Sequence, residues 1–195
     1  MVIGIIGILV AITFGIADGV RDTQGRAKAR AELALMVQAL ESFKSKHADF
    51  PWAEPDEDES AKELFKALAG WKKFDYSTPD STEFADKTTS EVPAQGPKPF
   101  LDISKLNYIE TGAPEDFNPE ISGNTLPDSH LFIDPWNNPY RYYYKTGSGG
   151  DWENFGFVLY SMGPDGEHSP VDTDGILTET IRNDALNLDN IYPAE

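Results

Sequence analysis

The feature that most constrains this chain is its first seventeen residues, MVIGIIGILVAITFGIA, which carry no charged side chain. The first ionisable side chain is Asp18. A helix of this length runs ~25 Å, slightly short of the ~30 Å hydrocarbon core of a bilayer. Such a run must be kept from water, in lipid or against an apolar partner. Gly4, Gly7 and Gly15 would each cost ~1 kcal/mol in a water-exposed helix, but they suit close packing of helices. A cleaved signal peptide fits poorly, because there is no basic segment at the start and the apolar run passes unbroken into a helical pattern. The expectation is an anchor or packing helix.

The remainder of the chain wants water. Of 195 residues, 33 are acidic and 16 are Lys or Arg, for a net charge of -17. That balance leaves no basic surface to displace counterions from phosphates, which excludes a nucleic-acid partner. The chain has no cysteine, so disulfides, thiolate metal ligands and thiol nucleophiles are excluded. The three histidines, His47, His130 and His168, are too scattered for a zinc site. Ser161, Asp165 and His168 are close in sequence, but a catalytic triad is assembled in space with an orienting acid and oxyanion donors. No enzyme is expected, and His168 reads as a surface residue.

From Asp18 to His47, Leu33, Met36, Val37, Leu40, Phe43 and His47 recur at three- and four-residue steps, the signature of an amphipathic helix. Arg26, Lys28 and Arg30 follow just beyond the apolar end, as at a headgroup boundary. Phe50-Pro51 stops the helix. An acidic loop, EPDEDES, precedes a short helix, AKELFKALAG, capped by Ser60 and ended by Gly70. Residues 75–99 read as a surface loop, 100–110 as a short helix or strand, and 111–130 as turn-rich. Leu131–Ile133, the turn cluster DPWNNP, the aromatic stretch YRYYYK and FGFVLYS predict antiparallel strands, with a glycine turn at 147–150. The predicted fold is α+β: a long N-terminal helix, with a membrane or filament part and an amphipathic part, packed on a small antiparallel sheet.

One stretch carries metal chemistry. Asp165 lies in MGPDG, and Asp172-Thr173-Asp174-Gly175 follows. Two acids two residues apart before a glycine can aim hard oxygen ligands at calcium, although the spacing is not that of an EF-hand. The same residues also make ordinary Asp-Gly turns.

MVIGIIGILVAI resembles the hydrophobic helix of type IV pilin-like proteins. FPW, AKELFKAL, DPWNNPYRYYY and FVLYSMGPDGE, in that order, are similar to the major pseudopilin of type II secretion systems. The resemblance covers residues 1–70 and 131–175. It implies a hydrophobic helix at 1–17, an amphipathic continuation at 18–48, and a pilin-like head at 49–195 with an insertion at 71–130. It also implies a calcium loop at 162–175, with the carboxylates of Asp165, Asp172 and Asp174 and the carbonyls of Met162 and Glu167 as ligands. The family's leader, mature N-terminal Phe and nearby glutamate do not stand ahead of this helix, so the sequence is expected to begin several residues inside it. The expected function is a structural subunit that forms a homo-oligomeric helical filament. It would be held in the bacterial inner membrane before assembly, with a periplasmic or extracellular head, and handled by secretion or pilus assembly proteins. A type IV pilus subunit and a membrane-tethered module binding a cation or a glycan are the alternatives.

Overall fold

The computed structural model describes residues 2–75, 84–121, 123–145 and 152–193, with the backbone alone for residues 2–20. Helix α1 spans Val2–His47, 46 residues or ~69 Å. Ala29, Leu33, Met36, Leu40 and Phe43 are buried along one stripe of it, as the periodicity predicts. It ends at Ala48, whose φ of 70° is left-handed and whose N–H donates to the carbonyl of Lys44 at 2.7 Å. Lys44, Lys46 and His47 in its last turn suit the negative end of the helix dipole.

The membrane-spanning part of the predicted fold is corrected. Among the described residues, no helix is long and apolar enough to cross a membrane. From Arg21 the helix carries Arg21, Asp22, Arg26, Lys28, Arg30 and Glu32, a density of charge that hydrocarbon does not accept. The side chains of residues 1–17 lie outside the described residues.

Helix α2 spans Glu57–Leu68 and is capped by Asp56, whose carboxylate accepts from the N–H groups of Asp58 and Glu59 at 3.0 Å each. Ser60 is not the cap. It lies one turn into the helix, buried, with its hydroxyl donating to the carbonyl of Tyr142 at 2.6 Å. Gly70 takes φ 87° just beyond the helix, where a Cβ would stand 2.4 Å from the carbonyl oxygen of Lys98.

Among the described residues, the single predicted sheet is instead three small antiparallel ones. β1 (Lys72–Phe74) pairs with β2 (Phe84–Asp86), β3 (Asn107–Glu110) lies between β4 (Ala113–Phe117) and β5 (His130–Ile133), and β6 (Arg141–Tyr143) pairs with β7 (Val158–Tyr160). The predicted hairpin of the aromatic stretch is present as β6–β7, with Tyr142 opposite Leu159; its turn at 147–150 lies outside the described residues. The loop predicted over 75–99 contains β2, and the turn-rich 111–130 contains β4. Strands of three and five residues, the second with Pro114 inside it, are too short to register a two-residue period. One core joins these layers: α1 contributes Leu33, Met36 and Leu40, α2 contributes Leu64, Phe65 and Leu68, and the strands add Phe132, Tyr142 and Leu159. A four-residue helix, α3 (Glu179–Arg182), precedes the closing segment, where Ile191 bridges to Ser161.

Candidate functional site

The two motifs that stand out in the sequence, DPWNNPY and YSMGPDG, meet in space. Asp134 is fully buried, and one carboxylate oxygen accepts from the N–H groups of Trp136 and Asn138, both at 2.9 Å. Its other oxygen accepts from the hydroxyl of Ser161 at 2.6 Å. Ser161 in turn accepts from the N–H of Gly163 at 3.1 Å, and the Asn138 amide donates to the carbonyl of Gly163 at 2.8 Å. Burial raises the pKa of Asp134, against the hydrogen bonds from Ser161 and the turn. Gly163, at φ 74°, packs so closely on Asp189 that a Cβ would stand 2.6 Å from its carboxylate. Ser161–Asp134 and Asn138–Gly163 thus tie the two turns together, and the buried polar groups they join are each hydrogen-bonded, the requirement for burying them at all.

This double turn is also the dock for α1. Glu32 is 3 % exposed on the otherwise apolar stripe. It accepts from the hydroxyl of Tyr140 at 2.6 Å and pairs with Lys28 at 3.5 Å. Burial raises its pKa, opposed by Tyr140 and Lys28. Nearly two turns toward the N-terminus, Arg26 bonds Asp22 at 3.0 Å and donates to the carbonyl of Asp189 at 3.3 Å. The ring of Trp136 lies on Gly25, where a Cβ would be 2.7 Å from Cζ2. Periodicity did not single out Glu32 or Asp189. The signal for Glu32 was present, as a lone charge among Ala29, Leu33 and Met36.

His168 is not a free surface residue. Its imidazole accepts from or donates to Tyr160 at 2.9 Å and lies 3.1 Å from the carboxylate of Glu57, the first residue of α2. Tyr143 donates to Glu57 at 2.6 Å, and its ring is stacked on that of Tyr160. The hydrogen bond with His168 and that from Tyr143, working against burial, hold Glu57 down to about 2. The pair clamps the C-terminal segment onto α2.

The predicted calcium residues fall in two turns. Met162 is buried with Val158 and Tyr160. Asp165 accepts from the N–H of Glu167 at 2.9 Å, and its own N–H faces Asp189 at 3.4 Å. Asp174 accepts from the N–H of Ile176 at 2.8 Å, while Asp172 closes the turn to Gly175 through its carbonyl at 2.9 Å. This second turn packs on Trp152, and Asn154 donates to the carbonyl of Gly175 at 3.0 Å. Among the described residues, no three His, Asp or Glu side chains converge as a metal centre.

Comparison with family models, with curated proteins and with solved structures finds no match to this chain.

Proposed function

We propose that this chain is a structural subunit of a pilus-like filament, of the kind the resemblance to major pseudopilins implies. The observation that carries the reading is the continuity of α1. One helix joins the apolar run of residues 2–17 to a segment fixed on the head by Gly25–Trp136, Arg26–Asp189 and Glu32–Tyr140. A subunit whose apolar helix packs among identical helices keeps that surface from water, while a rigid joint transmits its orientation to the head. A repeated heterologous contact then gives an open polymer rather than a closed ring. The setting that belongs to this reading is extracytoplasmic, with secretion or pilus assembly proteins as partners.

The test is negative-stain microscopy of the full-length protein expressed with such assembly proteins. Filaments carrying this chain are the expected result, and a monomer that binds a glycan overturns the reading. Calcium belongs to the same proposal, with Asp165, Asp172 and Asp174 and the carbonyls of Met162 and Glu167 as the groups that would hold it. Calcium is expected to raise the melting temperature, and Asp172→Ala to abolish the rise. A melting curve indifferent to EGTA removes the ion from the account.

A further inference from the structure

Among the described residues of α1, Glu32 is the one charged side chain buried in the apolar stripe of Ala29, Leu33, Met36, Leu40 and Phe43. Its side chain is 4 % exposed, so an ionised carboxylate at this place has given up its water. Little replaces that water. Tyr140, itself fully buried, donates one hydrogen bond to Oε2 at 2.6 Å. Oε1 accepts no hydrogen bond from any described residue and faces only the ammonium of Lys28, 3.5 Å away. Asp134, in the same joint, is better served, because its two oxygens accept three hydrogen bonds.

The charged groups around Glu32 do not make up the deficit. On its own helix the cation at hand is Lys28, whose side chain is 49 % exposed, so water screens the attraction. Arg26 is turned instead to Asp22 and to the carbonyl of Asp189. From the double turn, the buried carboxylate of Asp134 repels a negative charge on Glu32. The C-terminal segment brings one more acid to the joint, Asp189, whose carboxylate lies against Gly163. Burial and Asp134 therefore favour the neutral acid, while Tyr140 and Lys28 favour the carboxylate, and burial is the largest effect.

We propose that the joint between α1 and the head is proton-linked: it closes more tightly on a protonated Glu32 than on an ionised one. With a proton on Glu32, Tyr140 keeps its acceptor and Lys28 turns wholly into solvent, so no charge on Glu32 is left in the joint. The head is thereby set more rigidly on its helix in mildly acidic surroundings than in alkaline ones. The sign follows from the raised carboxyl of Glu32. Its ionised form costs stability at high pH, and that cost is relieved as the pH falls toward the ordinary 4.5. Two histidines work the other way. Burial lowers His47 and His130, so stability is lost as falling pH protonates them. The part played by Glu32 is therefore read as a difference between wild type and variant. The joint acts within one molecule, so the inference does not depend on assembly of copies.

The experiment uses the full chain. The side-chain carboxyl carbon of Glu32, followed by NMR, is expected to titrate above the ordinary 4.5. Tyr140→Phe is expected to move that titration further up, because it removes the donor that favours the carboxylate. Urea unfolding reads the same linkage as stability. Glu32→Gln, a neutral side chain of nearly the same shape, is expected to gain on wild type as the pH rises from about 5 to about 7.5. A merely structural role for Glu32 gives a difference in urea midpoint that does not move with pH. The proposal is overturned if Glu32 titrates at or below 4.5, or if Tyr140→Phe leaves that titration unmoved. It is equally overturned if the gain of Glu32→Gln is constant across the window or larger at its acid end.

Discussion

At the scale of single residues, the molecule is held by acids placed where acids are costly. Asp134 and Glu32 are buried carboxylates, each retained because a hydroxyl and either turn amides or a lysine answer it. Removing a partner costs more than the bond itself is worth, because the charge stays behind. Tyr140→Phe is therefore expected to lower stability by about 1–3 kcal/mol, read as a shift in the urea midpoint. A midpoint within error of wild type would mean that Glu32 finds another donor. His168 was legible as a letter and misread in role, and Glu32 was passed over. A periodic pattern places a residue on a face, but it does not say which side chain from ~110 residues away will meet it there.

At the scale of elements, two joints organise the fold. One sets α1 on the double turn formed by DPWNNPY and YSMGPDG. The other ties α2 to the C-terminal segment through Glu57 and His168. The second joint titrates. The carboxyl of Glu57 is held at about 2 against an ordinary value of 4.5. Its carboxylate form thus favours folding: the contribution is complete above about pH 4.5 and is lost as the pH falls toward 2. The stability difference between wild type and Glu57→Gln, measured by urea unfolding, is expected to be substantial at pH 5 and to shrink by pH 2.5. A difference that does not change across that window would remove the clamp from the account. Helix α2 also shows how local reading misplaces a boundary. Asp56 and Ser60 are both competent caps four residues apart, and tertiary structure takes the second for the carbonyl of Tyr142.

At the scale of the whole molecule, a cationic helix segment and a strongly anionic head share one chain. The same division works against a nucleic-acid partner and disfavours contacts between heads. Salt screens the repulsion between such heads, so association of copies of this chain is expected to strengthen as ionic strength rises, measured by light scattering.

The sequence by itself determined the long amphipathic helix, the position of the β6–β7 hairpin, and the absence of any disulfide. These rest on local periodicity and composition, which need no knowledge of the rest of the chain. Only the tertiary structure decided that DPWNNPY and YSMGPDG are two halves of one hydrogen-bonded joint. It also decided that Glu32 is that joint's anchor on α1, and that the predicted calcium aspartates divide between two separate turns. Those facts depend on which buried polar groups find each other across large separations in sequence. That pairing is set by the packing of the whole core and leaves no periodic trace in the chain.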